Sequence, residues 1–410
     1  MLPRLQANSM LLNRERANEI MDREGLDALI AVTPNNVVYL SDYDTDFIYD
    51  VPWLACAILP RSPDIAPCLI TTEIEAVVLH ERPTWMPDLR LYYFGIYGGV
   101  LKVHTFAKDV EFTEEENAMR RMVDDVEKNH YVGVFETAAK ALSDMGLTGA
   151  KLGFDDTRFA DALGDTVKNA DVKDATNLLF EIRMVKTPDE IEILRTAAKK
   201  NQAAMEKAFA AIRAGGTWGD VVTAYEVGVA EQGGRVLAAF NGAGRKSAGA
   251  GRVFKDYPIA EGDQVCFDSM MRWRRYMGDC QRTVVLGDPS GKMEQYWRGY
   301  KAGVTEVYGA MKPGLSTGDL RNQAIDIVRK SGCPTFELAF IHGIGLDHIE
   351  VPFIAGGTLG DFPIEENMVL NMDFELHEVG WGGMFFEESM LITKDGAERL
   401  YSLPRDLIRI

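Results

Sequence analysis

The sequence is poor in cysteine, and the few it has are not arranged for a structural role. Cys56, Cys68, Cys266, Cys280 and Cys333 are odd in number and show no CxxC spacing. A disulfide framework or a thiolate zinc site would need pairing or close spacing, so reduced thiols in a cytoplasmic protein are expected. No apolar run is long enough to cross a bilayer, and the opening residues MLPRLQANSMLLNRERANEIM hold no apolar signal core. A basic excess is absent too. The formal net charge of −18 argues against a nucleic-acid partner. Nor is the composition that of a disordered chain, at 46% hydrophobic and 26% charged.

What is present fits two domains, since 410 residues exceed one ordinary core. The first part alternates helix and strand signals. LLNRERANEIMDREG has an amphipathic period that stops at Gly25, DALIAVTP reads as a buried strand, and NNVVYLSDYDTD runs into a polar turn. PWLACAILP, APCLITT and KLGFDD are further strand candidates. These features predict an α/β domain over residues 1–175 and a second domain over 176–410. The second opens with a long helix in which Thr187 is the N-cap, Pro188 the first helical residue, and Glu190 the other half of a capping box.

An internal repeat organises the second domain. AIRAGGTWGDV at 211–221 returns as AMKPGLSTGDL at 310–320, so Gly215, Gly219 and Asp220 match Gly314, Gly318 and Asp319 at an offset of 99. Each half then ends in a predicted strand pair bearing acids. The first pair holds Asp268 and Asp279; the second holds Asp373 and Glu387 in VLNMDFEL and MFFEESMLIT. If the two sheets meet, the four carboxylates share one seam. Clustered carboxylates cannot all ionise in a dry cleft without a cation, and hard divalent ions prefer such oxygens. FIHGIGLDHIEVP supplies His342 among glycines, and two ions there would lower the pKa of a shared water and polarise a carbonyl. The competing reading of the first hairpin is a structural salt bridge from its aspartates to Arg282 or Arg275.

These motifs together resemble the pita-bread superfamily of creatinase, prolidase, aminopeptidase P and methionine aminopeptidase, over nearly the whole chain. The resemblance implies a creatinase-like N-terminal α/β domain followed by a pita-bread catalytic domain with pseudo-two-fold symmetry. It implies metal ligation by Asp268, Asp279 (in GDCQRT), His342 (in the HGxG motif), Asp373 and Glu387 (in EESMLIT), with Glu388 an immediate rival. One or two ions of Mn, Fe, Co or Zn are expected. His348 is the expected catalytic acid or base, and Arg282 a supporting partner to a carboxylate. Relatives cap the active site with the region matching SDYDTDFIYDVPW, which makes Asp46, Phe47 and Trp53 candidate substrate contacts and implies a homodimer.

Three departures bear on the activity. Where the family carries glutamate in a TIEP context, NMDF places the shorter Asp373, with Glu375 two residues on and facing the same way as a substitute or substrate contact. The stretch NGAGRKSAGAGRVFKDYP lacks the family's substrate-contacting histidine, and His348 follows His342 by six positions rather than seven. The expected function is a metal-dependent hydrolase that cleaves an amide-like C–N bond in a small molecule or short peptide through a metal-bound hydroxide. The alternatives are a metal-independent creatinase-like hydrolase, a metal-assisted lyase resembling dimethylsulfoniopropionate lyase, and a non-catalytic binding protein. The lyase motif has an acid where Met270 stands here.

Overall fold

The first helix, α1 (Arg14–Glu24), begins where the Asn13 side chain accepts the Arg16 N–H, and it ends at Gly25 with φ 67°. It belongs to a computed structural model that describes residues 10–129, 131–249, 255–353 and 361–410. The chain divides into two compact units, Met1–Arg183 and Met184–Ile410.

The first unit is built on a six-stranded sheet. Its strands are β1 (Ala28–Ala31), β2 (Cys56–Pro60), β3 (Cys68–Thr72), β4 (Asp88–Tyr92), β5 (Lys151–Phe154) and β6 (Asp171–Asp174), in the order β4-β3-β2-β1-β5-β6. The β1–β2 and β2–β3 pairs are antiparallel, and the other three pairs are parallel. Ile30, Ile58, Ile70, Leu152 and Phe154 are buried in its core with Phe159. The segment expected to run into a polar turn does so after a helix, α2 (Pro34–Ser41), with Val37, Val38, Tyr39 and Leu40 buried. Pro34 stands in its first turn, where a missing N–H costs nothing, and the turn is confined to the residues after it. A one-turn helix, α3 (Phe47–Asp50), follows.

The second unit opens with α4 (Pro188–Ala210), whose capping box is complete. The Thr187 hydroxyl accepts the Glu190 N–H at 3.3 Å, and the Glu190 carboxylate accepts the Thr187 N–H at 2.8 Å. It continues with α5 (Trp218–Glu231), β7 (Arg235–Ala243), β8 (Gln264–Trp273) and β9 (Tyr276–Val285). The second half repeats the plan with α6 (Gly291–Ala310), α7 (Thr317–Ser331), β10 (Leu338–Gly343), β11 (Glu350–Phe353), β12 (Val369–Glu378) and β13 (Gly382–Thr393). Strands run β11-β10-β12-β13-β9-β8-β7, and two short strands complete a nine-stranded sheet.

The sequence repeat is a structural one. Gly215 and Gly314 both adopt positive φ, 76° and 91°, and both donate an N–H to an isoleucine carbonyl, Ile259 at 2.9 Å and Ile364 at 2.8 Å. Thr217 then caps α5 and Ser316 caps α7 in the same way. The two acidic hairpins, β8–β9 and β12–β13, join where β9 pairs with β13, Gln281 facing Glu387. All five cysteines are free and buried. Among the described residues no helix is long and apolar enough to cross a membrane.

Candidate metal centre

Strand parity gathers the acids. Residues directly opposite one another in an antiparallel pair share a face, as do residues two apart on one strand. Asp268 lies opposite Gln281, Met270 opposite Asp279, Gln281 opposite Glu387, and His342 opposite Asn371. One face of the sheet therefore carries Asp268 from β8, Asp279 and Gln281 from β9, His342 from β10, Asn371 and Asp373 from β12, and Glu387 from β13. The β8–β9 hairpin closes with Arg274 and Arg275 at φ 49° and 68°, between the paired Trp273 and Tyr276.

The expected ligands come together. Ligand atoms of Asp268, Asp279 and Glu387 lie within 4.8 Å of one another, as do those of His342, Asp373 and Glu387, and those of Asp279, His342 and His348. His342 Nε2 is 3.4 Å from Asp373 Oδ2 and 3.4 Å from Glu387 Oε1. Its Nδ1 is 2.9 Å from the Gly343 carbonyl, which accepts the proton held there and turns Nε2 toward the acids. His348, on the loop after β10, places Nε2 at 2.9 Å from Asp279 Oδ2 and is about a quarter exposed, at 27%.

The unpaired atoms in this cluster test whether a cation fits it. Asp268 Oδ1, Asp279 Oδ1, Asp373 Oδ2, Glu387 Oε2, Gln281 Oε1 and Asn371 Oδ1 are buried with no hydrogen-bond partner. All are acceptors. Burying carboxylate oxygens without donors is costly, whereas a divalent cation satisfies them together, so the donor set of carboxylates and one imidazole fits such an ion.

The protonation pattern has the same cause. Burial raises the Asp268 carboxyl well above the usual range, and the charges of Asp279 and Glu387 add to it. Asp373 is raised by burial and by Glu387, and Glu387 by burial and by Asp279, to about 7. Asp279 goes the other way: burial opposes its charge, but His348 and His342 beside it hold the carboxyl below the usual range. Burial likewise opposes the charging of His342, yet Asp373 and Glu387 raise it well above an ordinary histidine.

Glu387 and Glu388 point to opposite faces, which separates the two rivals. Glu388 is fully buried on the far side, where it meets Arg282 at 2.7 Å, Arg399 at 2.9 Å and Arg405 Nε at 2.7 Å. Arg282 also donates to the Glu387 carbonyl at 2.6 Å, so a cationic layer backs the acidic face. The salt-bridge partner of Arg282 is thus Glu388 rather than the hairpin aspartates.

Several members of this face carry no spacing signal. Asn371 donates to Asp279 at 3.2 Å and to Glu387 at 2.5 Å. Gln281 bridges Asp373 and Glu375, donating to each at 3.0 Å. Beyond Glu375 lies His377, with Nε2 at 3.1 Å from Glu375 Oε2 and Nδ1 at 3.2 Å from the Ala248 carbonyl. Asn371, Asp373, Glu375 and His377 alternate along β12, a pattern visible in NMDFELH once its strand is known. Met270, opposite Asp279, sets a thioether where the lyase motif has an acid. Residues 250–254 of the stretch lacking a histidine lie outside the described residues.

The remaining candidates belong to the first unit. Asp46 is exposed just before α3, and Phe47 is partly buried at its start. Trp53 packs edge-on against Phe135 and Phe159 and donates its indole N–H to Asp156 at 3.1 Å, the surroundings of a packing residue.

Residues 192–394 match the model of metallopeptidase family M24, and residues 13–185 match that of the creatinase/prolidase N-terminal domain. The chain is 28% identical over 228 residues to a Xaa-Pro dipeptidase of Lactobacillus delbrueckii, covering 55% of this chain and 61% of that protein. It is 24% identical over 349 residues to a Xaa-Pro dipeptidase of Pyrococcus horikoshii, covering 82% and 95%. The crystal structure of the prolidase from Pyrococcus horikoshii matches with a TM-score of 0.72 at 21% identity, over 96% of this chain and 99% of that one.

Proposed function

Because the chain belongs to the creatinase/prolidase pita-bread superfamily, we propose that it is a metal-dependent hydrolase cleaving the C–N bond of a short peptide or amide-like small molecule. The observation that carries this reading is the clustering beside His342 of four buried carboxylates, Asp268, Asp279, Asp373 and Glu387, each with an oxygen that has no hydrogen-bond partner. Asp268, Asp279, His342, Asp373 and Glu387 would hold one or two divalent ions, with Mn, Fe, Co and Zn as the metals to try. A divalent ion there acidifies a water and polarises the carbonyl to be attacked.

The chain's own groups do the rest. The Gly343 carbonyl fixes the His342 tautomer, and Asn371 holds Asp279 and Glu387 in register. His348, partly exposed beside Asp279, holds or passes a proton at Nε2 as the C–N bond breaks. Gln281 orients Asp373 together with Glu375, the acid proposed to contact the substrate. Arg282 and its neighbours neutralise Glu388, so that only the acids of the other face await a cation. A homodimer and a cytoplasmic location belong to the same proposal. Free, buried thiols support the second, and light scattering on the purified protein tests the first.

The test is hydrolysis of a dipeptide panel that includes Xaa-Pro members, with and without chelator. Activity lost on chelation and restored by one of the four metals supports the proposal. Full activity in metal-stripped protein would refute it and favour a metal-independent hydrolase. Metal binding without turnover on any amide would favour a binding protein.

A further inference from the structure

We propose that Lys186 and Glu350 are positioning residues for His348, acting through the loop that joins β10 to β11. The inference rests on the hydrolase reading, which gives His348 its work. The loop spans 344–349; Ile344 and Leu346 are buried in the core, whereas Ile349, next to the histidine, is exposed. Its histidine-bearing end is also held by polar ties to a buried carboxylate, Glu350.

Glu350 accepts the Asp347 N–H on Oε1 at 3.2 Å and meets Lys186 Nζ on Oε2 at 2.6 Å, with both side chains only 1% exposed. A Cβ on Gly345 would lie 2.7 Å from both carboxylate oxygens, so the carboxylate rests directly on the loop backbone. The Gly345 N–H donates to the Asp347 carbonyl at 3.2 Å, and the Gly345 carbonyl accepts the Met277 N–H at 2.9 Å. The loop is thereby tied to the end of the hairpin that carries Asp279.

Lys186 is itself fixed. Its N–H donates to the Asn367 carbonyl at 3.0 Å, and it immediately precedes the N-cap of α4. Near it Glu190 is pinned by the Thr187 N–H at 2.8 Å and the Tyr276 hydroxyl at 3.0 Å. A buried ion pair is weak as a source of stability, because an apolar pair of similar volume packs as well. Here one partner is also hydrogen-bonded to the backbone of the segment bearing His348. The contribution of the pair is therefore position: it keeps the imidazole Nε2 against Asp279.

The experiment compares native protein with Lys186→Met, Lys186→Met/Glu350→Gln, His348→Asn and Lys186→Met/His348→Asn. The neutral double variant removes both charges of the pair and keeps an acceptor for Asp347; because it also takes the Lys186 charge away from buried Glu190, thermal melting checks that the fold survives. In metal-free protein, carbethoxylation of His348 is followed by peptide mass spectrometry, with His80 as internal reference. Faster His348 modification in the neutral double variant is expected. On metal-loaded protein, kcat/KM should fall about tenfold or more at unchanged metal content. Lys186→Met should cost nothing further once His348 is asparagine, because both act through one group. Native His348 reactivity with native kcat/KM would overturn the proposal, as would fully additive losses. If even native protein hydrolyses no substrate, the hydrolase reading fails, and the His348 modification rate alone decides the positioning claim.

Discussion

Replacing Glu387 by glutamine should make the metal-free protein more stable, and only above a certain pH. Burial and the charge of Asp279 raise its carboxyl from 4.5 to about 7 in the folded state. A folded-state pKa above the unfolded one means that the folded protein binds the extra proton. Stability is fully present below 4.5 and is lost as pH rises through 7. Once ionised, the group costs the fold about 3 kcal/mol, an upper figure because Asp279 shares the interaction. Glutamine keeps an acceptor for Asn371, which donates to Oε1 at 2.5 Å, and carries no charge. For a unit of this size about 3 kcal/mol corresponds to roughly 6–12 °C in melting temperature. Thermal melts of chelated native and Glu387→Gln protein at pH 5 and pH 8 are the assay. The variant should melt close to native at the lower pH and well above it at the higher. Added divalent metal should reverse the order at pH 8, since saturation near a thousand times Kd adds about 4 kcal/mol to the native protein. An equal difference at both pH values would refute the reasoning.

Other substitutions separate the roles of neighbouring groups. His348→Asn should lower kcat by about 10²–10⁴ while leaving metal content unchanged, as measured by steady-state kinetics beside elemental analysis. Gln281→Leu removes the donor shared by Asp373 and Glu375 and should weaken metal binding about 10–100-fold in a competition titration. Arg282→Met leaves Glu388 with two of its three arginines and should destabilise the fold by about 3 kcal/mol in melting or denaturant experiments. Trp53→Ala should cost about 3 kcal/mol in stability and leave kcat/KM on a dipeptide unchanged if packing against Phe135 and Phe159 is its role.

Much of this site is legible in the sequence because it uses charged residues at strand spacing. Asp268 and Asp279, then Asp373 and Glu387, repeat with the glycine turns at 215 and 314, and the fold joins the two hairpins as that repeat suggests. The capping box at Thr187 and Glu190 is equally plain, since it depends only on local chemistry. The groups that order the acids are harder to see. Asn371 and Gln281 are neutral amides, and only the strand register shows that they face carboxylates. The choice between Glu387 and Glu388 rests on parity, which becomes certain only when the arginines behind Glu388 are in place. The helix at Pro34–Ser41 was hidden because its polar start and the acids after it look like a turn, while its burial comes from tertiary packing. Lys186 and Glu350 are 164 residues apart, beyond any local pattern.

The most direct test of the account is metal content per chain, by elemental mass spectrometry, on protein purified without added metal and on Asp279→Ala. Near-stoichiometric Mn, Fe, Co or Zn in the native protein, lost in the variant, is the predicted result. Native protein that takes up none of these ions even after incubation would contradict it, and the unpaired oxygens around His342 would then need another explanation.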